Sequence, residues 1–260
     1  MRITLGLGRG AGAKVAPWLF IALAVLPVLV VIVIASFAAS LGGDEEDFDL
    51  PSYPEYYEFA IIPIGLFAAI VTPLLLCPDR RDGVLSLYAA RPIAPADYVG
   101  ARWAGGLTVT AVMAWFPALV LMVWNILDAE STTKWLEDDW DVLPRLLAAG
   151  LAVAAPFTTL ALLCASFTAR RAYAAVATLA VLFVGAAVGG IAEGDFDGDI
   201  ADAVSLVNLP QAVIDAVRWI FAEEVLGRPI SGAVSTAWVG GATAAFGAAL
   251  YLRTRALMRA

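Results

Sequence analysis

The sequence predicts an all-α membrane protein with six transmembrane helices, a short helix in the loop between the second and third, and short amphipathic helices before the sixth. Three observations predict it. Of 260 residues, 61% are hydrophobic and only 15% charged, whereas soluble domains carry about 25% charged residues. The apolar residues fall in six uncharged runs, 15–37, 59–77, 103–127, 146–169, 172–192 and 229–252. Each is close to the roughly 20 residues a helix needs to cross a hydrocarbon core about 30 Å thick. Basic residues are also one-sided. With both termini, loop 78–102 and turn 170–171 on one face, twelve of the 16 Lys and Arg residues share it with three of the 24 acids. Basic loops stay in the cytoplasm. Both termini are therefore expected there, in a multi-pass protein of a cell membrane, with a bacterial plasma membrane as the setting. The six runs make one transmembrane domain over 1–260 rather than a soluble bundle.

The first run, 15–37, is longer than the 7–15 apolar residues of a cleaved signal, although "ASFAAS" supplies small residues that imitate a cleavage site. Before it, Gly8 to Ala13 imitates a dinucleotide fingerprint, and Gly8 to Lys14 imitates a phosphate-binding loop. The fingerprint needs a strand before it and a soluble βαβ unit around it. The phosphate loop needs a second glycine where Ala13 stands and a hydroxyl where Val15 stands. A basic interfacial segment accounts for both. The first outer loop, 41–58, is acidic and then aromatic, and Tyr53, Tyr56 and Tyr57 suit a belt at headgroup level. Pro63 and Pro73 lie in the second run.

Loop 78–102 departs from its surroundings. Asp79 is placed to cap a helix starting at Arg80, and Asp82 to sit in its first turn. Val84, Leu87, Tyr88 and Arg91 follow at helical spacing, and Pro92 ends the helix. Pro95 restarts one that leads through Tyr98 and Arg102 into the third span. A capped, proline-bounded rod hung between two spans is something a soluble partner could push on. The same rod could also rest on lipid headgroups.

The third run carries Pro117, and the outer loop after it carries Trp135 and Trp140 as interfacial anchors. The fourth run carries Pro156 and is joined to the fifth by "ARRA". Gly185 and Gly189 form a small-residue motif in the fifth run. It suits either tight packing within one bundle or a seam or gate between two copies. In 193–228, "NLPQAVIDAVRWIFAEEVLG" reads as a helix capped near Asn208 with Pro210 in its first turn. Val213, Val217, Ile220 and Phe221 share a face, and Asp215 with Arg218 argues against a seventh crossing. This helix is expected on, or dipping into, the outer leaflet.

Several function classes drop out. The chain has no histidine, which removes His-based triads, metal sites and proton relays. Cys77 and Cys164 both fall near cytoplasmic helix ends, so no disulfide is expected. No basic aromatic patch offers a nucleic-acid surface. An intramembrane enzyme, such as one modifying lipids, would need a nucleophile motif or a carboxylate pair within a span, and neither is present. No charge lies inside any of the six runs.

The segment "DRRDGVLSLYAARPIAPADYVGARW" resembles the corresponding stretch of the type-2 ABC transporter permease family, between its second and third spans. Asp79, Arg80, Asp82, Gly83, Leu85, Arg91, Pro92, Ile93, Tyr98 and Arg102 carry the match. The six-span layout and the amphipathic outer helices extend it over the whole chain. Ala94 departs from the Ser or Thr that often caps the restarting helix in that family. The resemblance implies a permease subunit, most often of an exporter, driven by ATP hydrolysed elsewhere. Asp79, Asp82, Gly83, Val84, Leu87, Tyr88, Arg91 and Pro92 would then form a coupling helix docked on a separate ATPase. The assembly would hold two ATPase copies and a second permease, as a homodimer or heterodimer, surrounded by membrane lipid. ATP and magnesium would be bound by the partner, since this chain has no ATP-binding loop and is not expected to be catalytic on its own. The family's pathway runs largely along the second and fifth spans, which implies Phe67, Thr72, Thr178 and Phe183 as path residues for an apolar or amphiphilic cargo. A non-transporting subunit that anchors or signals is the alternative.

Overall fold

The computed structural model describes residues 51–83, 94–129, 131–195, 203–223 and 230–259, together with helical positions Ala22, Val25, Leu26, Leu29, Val30 and Val33. The expected first span, 15–37, and the coupling residues Val84, Leu87, Tyr88, Arg91 and Pro92 lie wholly or largely outside the described residues.

All regular structure among the described residues is helical. Five helices are long and apolar enough to cross a membrane: Tyr53–Arg81, Pro95–Asp128, Val142–Phe167, Arg171–Ala192 and Gly232–Arg259. They alternate in direction, so one end of the bundle collects Arg80, Arg81, Arg102, Arg170 and Arg253, and the other collects most of the acids. These are called the basic and acidic ends below.

The first described crossing starts as α1, Tyr53–Val71. Ser52 and Glu55 form a reciprocal capping box, and Pro54 stands in the first turn. The helix thus begins six residues before the apolar run. This overturns the expected aromatic belt. Tyr56 and Tyr57 are buried in the core, because the extra turn carries them onto the packed face. Tyr53 stacks on Phe221 with ring centroids 5.4 Å apart. At Pro73 the helix tightens into a 3₁₀ turn, Thr72–Leu75, and continues as α2, Cys77–Arg81.

Helix α3, Pro95–Asp128, has 34 residues, about 50 Å at 1.5 Å per residue. It is therefore longer than a hydrocarbon core about 30 Å thick. The short α4, Thr132–Asp138, leads to α5, Val142–Phe167, which forms the centre of the bundle. Leu146, Ala149, Val153, Phe157 and Leu160 recur along its buried face and meet α1 and α3. Helices α6, Arg171–Asp195, and α8, Gly232–Arg259, are peripheral. Only 22% of the apolar window of each is buried, against 67% for the first described crossing and for α5. Their remaining surface is apolar and faces outward.

Helix α7, Leu209–Ile220, is not a crossing. Its 12 residues span about 18 Å, too little for a hydrocarbon core. Asn208 caps it, accepting from the Gln211 amide at 3.3 Å. Ala212, Val213, Ala216 and Val217 are buried, so the helix is inserted among α1, α5, α6 and α8 rather than laid on the surface. The turn before it rests on the glycines of α6. A Cβ on Gly185 would lie 2.7 Å from the Val207 carbonyl oxygen, and one on Gly189 would lie 2.6 Å from the Asn208 Cβ. The small-residue motif therefore seats this chain's own α7 turn.

Candidate functional site

At the basic end, the last turn of the first described crossing is tied to two neighbours. Asp79 on α2 accepts from the Tyr98 hydroxyl at 2.8 Å and from the Arg102 guanidinium, both on the first turns of α3. Arg102 also lies over the Tyr98 ring, 5.3 Å from its centroid. On the other side, Arg80 donates to the Ser166 carbonyl at the end of α5. The Cys77 thiol donates to the Thr168 carbonyl at 3.6 Å. The ends of α2, α3 and α5 are thereby held together by partly buried polar contacts.

The geometry of Asp79 differs from the sequence expectation. It does not cap a helix starting at Arg80, because α2 already runs from Cys77 through Arg81. The helix ends there instead. Asp82 is its C-cap, and Gly83 follows at a φ of +68°. That left-handed conformation is a common helix stop, and glycine adopts it without steric cost. Asp82 pairs with Arg81 at 2.9 Å on an exposed surface, a contact of small energetic value. Gly83 has open space around its Cα. On the far side, Ala94 is the N-cap of α3 and supplies no side-chain bond, while Pro95 starts the helix. The chain from Gly83 to Ala94 is thus strung between two fixed helix ends that are also bonded to each other.

The four residues implied as a path do not share a surface. Phe67, Thr72 and Thr178 are buried within this chain, whereas Phe183 is 67% exposed on the outward face of α6. Thr178 donates back to the Ala174 carbonyl at 2.9 Å. Two further threonines of the interior, Thr158 and Thr110, bond across α5 and α3 at 3.1 Å. Gly106 on α3 packs against the Thr158 methyl.

At the acidic end, α7 carries a second polar cluster. Arg218 clamps Glu58 on α1, with its Nε 2.7 Å from the Glu58 Oε1. Arg145 on α5 donates to the Phe221 carbonyl at 3.1 Å and pairs with Asp141. Asp215 is 1% exposed and accepts from the Gln211 amide at 3.1 Å. Burial pushes its carboxyl above the usual range. Gln211 and Arg218 pull it down, the Glu58 charge pushes it up, and the Ser235 hydroxyl pulls it down. Asp215 and Arg218 were visible in the sequence as charges. Their roles were not, because Glu58 lies 160 positions from Arg218 and no local pattern links them.

No protein-family model matches the chain, and no curated protein matches it.

Proposed function

We propose that this chain is the membrane-spanning permease subunit of an ABC transporter, moved by a separate ATPase that docks on segment 79–92 at the cytoplasmic, basic end. The observation that carries the reading is the Asp79–Tyr98–Arg102 cluster with its Arg80–Ser166 extension. It joins the two helix ends that flank the segment, and it joins them to α5. A force applied between Gly83 and Ala94 is then shared by three crossings. The residue pattern that resembles the type-2 permease family supplies the identity of the partner. The outward apolar faces of α6 and α8 suit lipid or a second permease copy.

The second reading is a membrane subunit that anchors or signals through the same ATPase without moving a cargo. Burial of Phe67, Thr72 and Thr178 favours it, because in a single chain these residues offer a substrate nothing to touch. Co-expression with a Walker-motif ATPase encoded beside this chain tests both. The permease reading expects a stable complex and ATP-dependent movement of substrate in vesicles. A stable complex without movement supports the second reading. Absence of any complex removes both.

A further inference from the structure

A cavity of about 560 Å³ opens at the basic end, between α2 and the junction of α5 with α6. Leu74, Cys77, Pro78 and Ala172 line it together with Arg81, Arg170, Arg171 and Asp82, the charged residues that form its cationic rim. Three guanidiniums face one carboxylate, and the carboxylate belongs to Arg81. Arg170 lies over the Tyr173 ring at 5.5 Å, a contact that leaves its charge uncancelled. Arg171 has no hydrogen bond or ion pair among the described residues. The cavity is thus a concave site with an excess of two positive charges. Just beyond it the surface turns apolar. Phe167 is 62% exposed, Tyr173 59% and Val176 64%, all on the side where α5 ends and α6 begins. A cationic rim beside an exposed apolar strip matches a phospholipid, whose charged phosphate sits next to its acyl chains.

We propose that this cavity holds the headgroup of an anionic phospholipid. Its phosphate faces Arg81, Arg170 and Arg171, and its acyl chains run along the outward face of α6. Arginine matches the planar, forked geometry of a phosphate oxygen pair. Basic pockets between membrane helices recognise anionic headgroups in this way. An acidic protein partner would meet the same charge, but it has no use for the exposed apolar strip beside it. The inference stands on the cavity alone and does not depend on the ATPase reading.

The test uses the full chain in a neutral detergent. Its thermal midpoint is measured with phosphatidylglycerol, phosphatidylcholine or inorganic phosphate added, and bound lipid is counted by native mass spectrometry. Phosphatidylglycerol should raise the midpoint and remain bound, while phosphatidylcholine and phosphate should do neither. Arg170→Gln with Arg171→Gln should weaken phosphatidylglycerol binding about thirty-fold, the equivalent of two basic contacts at about 1 kcal/mol each. Arg255→Gln, a charge outside the cavity, should leave binding unchanged. Arg171→Gln alone is read by mass spectrometry if the double variant does not fold. Equal stabilisation by inorganic phosphate would make this a free-anion site and overturn the lipid assignment. An equal loss in Arg255→Gln would reduce it to diffuse surface charge and overturn the site itself.

Discussion

Arg102, near the start of α3, donates to the carboxylate of Asp79 on α2, 23 positions earlier in the chain. The side chains are 28% and 17% exposed, so water competes for the bond only in part. Removing the acceptor takes an ion pair from the Arg102 guanidinium and a hydrogen bond from the Tyr98 hydroxyl. Asp79→Ala should cost about 2 kcal/mol of stability, in the range of hydrogen bonds to charged groups. A cycle with Asp79→Asn and Arg102→Gln, read by unfolding in detergent, should return a coupling of about 1 kcal/mol. A coupling near zero would demote the pair to an incidental surface contact.

Asp215 gives the chain a pH dependence at its acidic end. Its folded-state carboxyl titrates above the ordinary value of 3.8, chiefly because it is buried. The folded state therefore holds that proton more tightly than the unfolded chain does. The favourable contribution is complete below the ordinary value and is lost as pH rises through the folded one. Asp215→Asn should flatten this loss. The midpoint of the variant relative to the parent should rise from about pH 4 to pH 7. A parent that gains on the variant over that range would show that the charged form is the one the fold favours.

The glycines of α6 separate packing from mere helix preference. A Cβ on Gly189 would collide with Asn208 and come 3.0 Å from the Ser205 carbonyl oxygen, whereas one on the adjacent Gly190 meets nothing within 4 Å. Gly189→Ala should cost about 1–3 kcal/mol, as overpacking against backbone does. Gly190→Ala should cost nothing. Equal effects at the two positions would mean that the turn before α7 does not rest on this face.

Orientation is open to chemical labelling. The native Cys77 and Cys164 are buried and contribute little background. Cysteines placed at Thr132 and Asp197 should react with an impermeant reagent from outside intact cells, and one at Ser86 should not. Reaction at Ser86 would invert the topology and place the basic end outside.

The four long apolar helices α3, α5, α6 and α8 were legible because an uncharged run is a local property. Each helix contains nearly all of its expected run. The start of the first described crossing was missed although its signal was present. Ser52 and Glu55 stand at capping-box spacing just before the run, beside tyrosines whose chemistry suits a headgroup belt equally well. Asn208 and Pro210 opened α7 as their chemistry demands. What the sequence could not show was pairing. Asp79 was recognised as an acceptor, but its donors lie on another helix, and the choice between a cap and a cross-link is tertiary. Glycines 185 and 189 announced a close approach without naming what approaches. Glu58, Asp215 and Arg218 came together only because α7 turns back into the bundle.

An ATPase docked on segment 79–92, as proposed above, would pull on the bundle through both helix ends. Leu87→Asp places a charge on the expected contact face of that segment without entering any apolar run. The decisive measurement is the amount of Walker-motif ATPase that co-purifies with the parent and with Leu87→Asp, at equal membrane insertion. Loss of an apolar anchor at an interface costs about 2 kcal/mol or more, so the variant should retain the ATPase about thirty-fold more weakly. If Leu87→Asp binds the ATPase as tightly as the parent and supports the same ATP-dependent activity, the segment is not the coupling element and the account is wrong.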